Sequence, residues 1–291
     1  MRYQLIHQTE YRYAQPVANS YNLAWLTPRQ LPYQQVEHSS VSVNPAPSLI
    51  QQRSDSFGNT QHFIHVQPPH KQLSVTSRST LQVMPRHNVL KIRDATDSSG
   101  LFAHLRQHTD TITLDALLCQ HASRMIPLLP AAKAVIMPLM QPGQNILQLA
   151  QALNQLIFTE FKYDPEFSTV VTPLSEVLAH KRGVCQDFAQ LAISCLRSVG
   201  IPARYVSGYL QTQPPEGQPR LVGADASHAW FAVFEPTLGW IDFDPTNNIL
   251  ADEQHLTLAW GRDYADVVPL KGLLQGHGVH QLEGEVDVVP I

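Results

Sequence analysis

The chain has 291 residues and a formal net charge of −4, with its 20 Lys and Arg scattered, which excludes the basic stripe that a nucleic-acid binder needs. At 43% hydrophobic and only 15% charged residues, against roughly 25% charged in an average globular domain, it can fill one large or two ordinary cores and leaves no composition for a solvated disordered tail. Three cysteines, Cys119, Cys185 and Cys195, with no CxxC pair, exclude a disulfide framework and a zinc cage, so any special cysteine is expected to be chemical.

The first residues carry a positive charge but no apolar run behind it, so no secretory signal is read and the expected compartment is the cytoplasm. From Tyr3 the pattern Tyr3, Leu5, His7, Thr9, Tyr11, Tyr13 alternates with mostly polar residues, the period of a strand with one face on a core. Similar runs at 41–43, 61–66 and 73–83, separated by Asn44-Pro45, Asp55 to Asn59 and Pro68-Pro69, make residues 1–85 an expected antiparallel β domain. Residues 86–160 read as a helical linking region, with apolar spacings of three and four over 101–129 and again over 145–161. In the second of these, Ile146, Leu149, Ala150, Leu153, Leu156 and Ile157 make one apolar stripe. The apolar stretch Met125 to Met140 is interrupted by Pro127, Pro130, Lys133 and Pro138, so it is not expected to span a membrane, and no membrane partner is expected.

Residues 161–265 are the expected catalytic core. A helix opening at Gly183-Val184-Cys185 is apolar around most of its circumference and stops at Gly200-Ile201-Pro202, so it is expected to be buried centrally. Residues 203–210, 227–234 and 239–244 have strand composition, and Glu235 to Leu238 has the length of a hairpin connection. A central helix followed by antiparallel strands is an α+β arrangement. The tail, 266–291, is expected to return as one more strand through Val286, Val288 and Val289.

Cys185 stands where unpaired helix N–H groups and the helix dipole favour a thiolate, and a thiol of ordinary pKa about 8.5 becomes a nucleophile in such surroundings. His228 lies near the start of a strand, and a hairpin centred near 236–238 brings the next strand's Asp244 close to it, so a carboxylate can orient the imidazole that serves Cys185. Asp242 has the same parity and is left open as a rival by pairing alone. Cys119 and Cys195 sit in apolar stretches and fit packing. Asp187, in the first helical turn, is expected to satisfy backbone donors. His62 and His65 point to opposite strand faces, against a metal pair.

Three segments, Gly183 to Ala189, Ser227-His228-Ala229-Trp230 and Gly239 to Asn247, resemble in order and spacing the three motifs of the transglutaminase-like superfamily. Tyr11-Arg12-Tyr13, Pro28-Arg29 and Gly261 to Pro269 are similar to the bacterial branch that has its own N-terminal domain. The resemblance implies a papain-like thiol mechanism with Cys185 as nucleophile, His228 as general base and then acid, and Asp244, chosen over Asp242 by its motif, as the residue orienting His228. It also implies an oxyanion site of backbone N–H groups plus one upstream side chain, for which Tyr163 is the candidate, although cross-linking animal members use a tryptophan there. Trp230 and Trp240 read equally as walls of a substrate groove or as packing. The segment 211–225 reads equally as a lid or a surface connection.

The expected function is a thiol-dependent hydrolase or acyltransferase on amide or peptide bonds, with a peptide, protein or small amide as partner, no cofactor and no metal. Hydrolysis is preferred because no signal for an amine channel is found, and no DxDxDG-type calcium loop is present. The alternatives are a non-catalytic binding module that keeps the fold, and a Cys/His metal protein, which lacks ligand spacing.

Overall fold

The computed structural model describes residues 1–86, 92–211, 227–275 and 280–291. Six strands come first, β1 (Arg2–Val17), β2 (Asn19–Ala24), β3 (Gln34–Asn44), β4 (Leu49–Ser54), β5 (Thr60–Val66) and β6 (His70–Val83). Then follow α1 (Ser98–Gln107), α2 (Thr111–Leu118), α3 (Pro130–Ile136), α4 (Ile146–Glu160), β7 (Lys162–Tyr163), α5 (Leu174–His180), β8 (Arg182–Gly183) and α6 (Cys185–Ser198). The remainder is β9 (Ala203–Leu210), β10 (Ser227–Glu235), β11 (Gly239–Asp244), β12 (Ile249–Leu250), β13 (His255–Gly261), β14 (Leu270–Gln275) and β15 (His280–Pro290). The class is α+β. Among the described residues no helix is long and apolar enough to cross a membrane.

The N-terminal strands form two antiparallel sheets, ordered β15-β1-β6-β3 and β14-β2-β5-β4. Each sheet takes one strand from the C-terminal end, so the tail read as one returning strand supplies two, and the β unit is built from both ends of the chain. Along β1 the alternation works as a ruler with two cores. Tyr3 and Leu5 are buried with Tyr209, Leu256 and Leu258 of the central sheet, whereas Tyr13 and Val17 are buried with Ile64 and Val75 inside the β unit. Between them His7 Nδ1 meets the Tyr209 hydroxyl at 2.6 Å, so the β unit is docked on the central sheet by shared apolar burial and a buried polar contact.

The helical region differs from its expectation. The apolar spacing over 101–129 yields α1 and α2, but residues 119–129 are not helical. Pro127 and Pro130 break the pattern, and the segment instead straps across α6, held by Arg197 Nη1 to the His121 carbonyl, Ser194 Oγ to the Pro127 carbonyl and Met125 N–H to Asp263. Helix α4 starts on a capping box, Asn145 accepting from Gln148 N–H and Gln148 returning the bond.

Helix α6 is buried from Gln186 through Arg197 and packs on the central sheet, ordered β12-β11-β10-β9-β13. Its one buried cation, Arg197, is satisfied by the carbonyls of His121, Ala203 and Arg262. Gly200, at φ +81°, ends the helix in the left-handed conformation that a side chain disfavours. Cys119 and Cys195 are buried, and burial pushes their thiols up to about 11 and about 12, which fits packing rather than chemistry.

Candidate active site

The short parallel pair β7 and β8 delivers the chain to the start of α6, with Tyr163 opposite Gly183. A Cβ on Gly183 would lie 2.7 Å from the Asp187 carboxylate, so glycine is required for Asp187 to fold back. Asp187 Oδ2 accepts the Val184 N–H at 2.8 Å and the Ser168 hydroxyl at 2.5 Å, which makes it the cap that anchors the turn carrying Cys185.

Cys185 is half-buried and lies close enough to His228 for its sulfur to act on the imidazole's pKa. His228 sits on β10, where Phe231 pairs with Phe243 of β11 and Gly208 of β9 pairs with His228 itself. The hairpin register puts Asp244 on the same face, and His228 Nε2–H donates to Asp244 Oδ2 at 2.8 Å. That leaves Nδ1 as the nitrogen facing the thiol. Burial acts to lower the His228 pKa, but the bonds to Asp244 and Cys185 and their negative charges outweigh it and raise the group to about 10.

Asp244 is fully buried and saturated. Its Oδ1 accepts the N–H groups of Thr246 and Asn247, and its Oδ2 accepts Asn247 Nδ2 at 2.7 Å as well as His228. A further donor is His255 Nε2, at 3.0 Å from the same oxygen. Although burial alone would raise its pKa, these bonds hold the carboxyl well below the usual range. Burial keeps His255 below its ordinary value, and its Nδ1 accepts the Asp252 N–H, which fixes the tautomer that donates to Asp244.

Asp242, the rival, lies on the same side of the sheet but has other partners. Its Oδ2 takes Arg86 Nη1 at 2.6 Å and Trp230 Nε1 at 3.2 Å. The groove reading of Trp230 is corrected. Trp230 is fully buried among Val206, Ala232 and Ala251, because its side chain fills the space left by Gly208, where a Cβ would lie 2.5 Å from the indole. Trp240 pairs with Phe234, six residues and about 20 Å along β10 from His228, and lines a different cavity. Tyr163 is 50% exposed, and its pKa is raised by burial and by the charge of Cys185 beside it. The segment 212–225 of the lid reading lies outside the described residues.

His255 and Asn247 are the site residues that sequence reasoning missed. Asn247 lies inside the third motif, and the run His255-Leu-Thr-Leu-Ala-Trp-Gly has strand composition that was available to be read. Among the described residues two groups bring three possible metal ligands together, His228, Asp244 and His255, and His104, His108 and Asp110. In the first, both imidazoles already bond Asp244 Oδ2 directly, and in the second Asp110 caps α2 through Thr113. A cleft of about 510 Å³ is lined by Leu129, Val170, Val171, Leu174 and Tyr264, and Gln186, next to Cys185 in sequence, is the link between it and the start of α6. Gln186 Nε2 donates to the Val170 carbonyl, and the Tyr264 ring packs edge-on against Tyr205.

A cysteine at the start of a buried helix, a histidine on the adjoining antiparallel sheet and a carboxylate behind the histidine define a thiol-enzyme scaffold. The chain belongs to the transglutaminase-like superfamily. Residues 133–245 match the transglutaminase-like superfamily model, and residues 3–82 match the bacterial transglutaminase-like N-terminal region. An uncharacterised protein of Mycobacterium tuberculosis is 36% identical over 99% of this chain and 93% of its own length. A protein-glutamine gamma-glutamyltransferase of Pseudomonas aeruginosa is 33% identical over 42% of this chain and 20% of its own length. In fold the chain is similar to a candidate cysteine protease from Cytophaga hutchinsonii, with a TM-score of 0.71 and 18% identity over 100% of this chain and 91% of that one. The family supports a thiol-dependent enzyme.

Proposed function

We propose that the protein cleaves an amide or peptide bond through a thioester on Cys185, with water as the acceptor. The observation that carries this reading is the imidazole of His228 bonded to the buried Asp244 carboxylate at 2.8 Å, with Cys185 near enough for its sulfur to raise the His228 pKa. Cys185 Sγ attacks the carbonyl carbon, and His228, protonated at Nδ1, gives that proton to the departing amine. Asp244, saturated and held ionised, keeps Nε2–H in place and balances the imidazolium. N–H groups of the first turn of α6, with the Tyr163 hydroxyl beside them, face the developing oxyanion. Water then attacks the thioester with His228 as base, releasing the acid and restoring the thiol.

Hydrolysis is preferred over transfer to an amine because Tyr163, beside Cys185, is half-exposed and leaves that side open to water. The apolar cleft that Gln186 links to the start of α6 suits a substrate with an apolar side chain next to the scissile amide. The Pseudomonas relative's name describes glutamine acyl transfer, which is the competing outcome of the test.

The test is iodoacetamide alkylation of the native protein, located by peptide mass spectrometry, followed by ammonia release from a peptide-amide library with and without a primary amine. Cys185 is expected to react while buried Cys119 and Cys195 do not, and His228→Ala is expected to slow it. Cys185→Ala is expected to abolish turnover with an unchanged circular dichroism spectrum. Turnover that survives Cys185→Ala would sink the mechanism, and amine incorporation that outpaces hydrolysis would replace hydrolysis by transfer.

A further inference from the structure

A second cavity, of about 520 Å³, lies where the β unit meets the central sheet, on the face turned away from α6. Arg204 and Asp242 line it, and the strand register places them on either side of Ala232 across β9, β10 and β11. Arg204 is 7% exposed. Its guanidinium is sandwiched between two indoles, with Cζ 4.3 Å from the Trp240 ring centre and 3.7 Å from that of Trp260. Its Nε has no hydrogen-bond partner among the described residues, and it forms no ion pair with a described carboxylate. Asp242, whose charge acts on it, is instead in a direct ion pair with Arg86 at 2.6 Å.

The charge balance at this junction is positive. Arg29 Cζ lies 3.5 Å from the centre of the same Trp260 ring, and the pKa values of both Arg29 and Arg204 are pushed down to about 10, chiefly by burial, so both stay protonated near neutrality. Stacking on aromatic faces stabilises a guanidinium by less than it costs to bury an ion without a counter-charge. A lone structural cation would be expected to hold a carboxylate or carbonyls, as Arg197 does in the same molecule with three carbonyls.

We infer that this cavity is a binding site for a small organic carboxylate with an apolar body, its carboxylate on Arg204 and its body against Leu31, Tyr33 and Trp240. The planar guanidinium fork matches a carboxylate, and the volume falls in the range of small-molecule sites. Pro32, Met84, Leu238 and Ala251 add apolar wall, and the other lining cation, Arg86, is already paired with Asp242, which favours an organic anion over inorganic phosphate. Asp242 adds a second reason, because its charge repels a dianion more than a monoanion. The site stands independently of the thiol chemistry.

The test is calorimetric titration of the full-length protein with 3-phenylpropanoate, its neutral amide and inorganic phosphate, with Trp fluorescence read in parallel. The carboxylate is expected to bind with one-to-one saturation, and the amide and phosphate at least about tenfold more weakly. Arg204→Gln is expected to weaken carboxylate binding by about tenfold or more. Leu31→Trp, which fills the cavity without touching the charge, is expected to remove it and serves alone if Arg204→Gln does not fold. Carboxylate that fails to saturate at millimolar concentration, an amide that binds equally well, or binding that survives in either folded variant overturns the site.

Discussion

Two carboxylates stand two residues apart on β11 and face the same side of the sheet, yet they live in opposite electrostatic settings. Asp244 is met by two histidines, an asparagine and two backbone N–H groups, so its charge is fixed and it positions a proton carrier. Asp242 is met by an arginine and an indole, with the unpaired Arg204 in the same row beyond Ala232, so its charge is spent on permanent cations. The lesson is that strand parity selects a face and partners select a role. An imidazole can exchange a proton near neutrality and a guanidinium cannot.

The sharpest way to break this comparison is to neutralise each carboxylate in turn. Asp244→Asn is expected to slow both Cys185 alkylation and turnover by about a hundredfold or more, because the amide cannot both accept from His228 and balance its charge. Asp242→Asn is expected to act mainly on stability. Both side chains of the Arg86 pair are nearly buried, and breaking such a pair costs about 3–5 kcal/mol, reduced here because Arg86 keeps the His255 carbonyl and Thr257. Rates per folded molecule, normalised by denaturation curves, separate the two. Equal losses of Cys185 reactivity would show that the roles are not divided as described.

His255→Phe comes next. It removes one donor from a fully buried oxygen, worth about 1–3 kcal/mol, and a loss of Cys185 reactivity of about tenfold is expected. A merely structural role would lower the melting temperature and leave the pH profile of alkylation unchanged. A positioning role shifts the profile, because His228 would then face an Asp244 held less firmly.

The pH dependence has a definite sign. The His228 pKa is raised from its ordinary 6.5 to about 10, so its contribution to stability is complete below 6.5 and is lost as pH rises towards 10. The Asp244 pKa is lowered, so its contribution is present above its ordinary 3.8 and is lost on acidification. The melting-temperature gap between the wild type and His228→Asn is therefore expected to shrink between pH 6.5 and 10. A flat gap across that window would contradict the ion-paired state.

Much of this arrangement was legible before any coordinates. The glycine-led start of α6, the histidine at the head of a strand and the hairpin centred at 236–238 are local features, and local spacing brings His228 and Asp244 onto one face. Long-range partners were not legible. Arg86 reaches Asp242 across 156 residues, and Tyr3 reaches the central sheet from the far end of the chain, contacts that no window of sequence contains. The tryptophans show the same limit, since alternation put Trp230 on the histidine's face, while Gly208 on the neighbouring strand decided that its ring would be buried. His255 was missed because its strand was not read, and its role depends on β13 lying beside β9 at the sheet's edge.

The smallest expected change tests whether the two ends of the sheet face are one network. Trp230 stands between them, donating to Asp242 at 3.2 Å and presenting its ring edge-on to His255 at 5.2 Å. Trp230→Phe removes the N–H and some volume, and a stability loss of about 1–3 kcal/mol is expected from the lost bond and the void. Cys185 alkylation per folded molecule is expected to stay within about twofold, because Asp244 keeps all five of its donors and Arg86 still holds Asp242. A tenfold loss would mean that the indole transmits the state of the arginine end to the catalytic histidine. The carboxylate cavity would then sense and report on the thiol site, and ligand titration of the alkylation rate would measure that coupling directly.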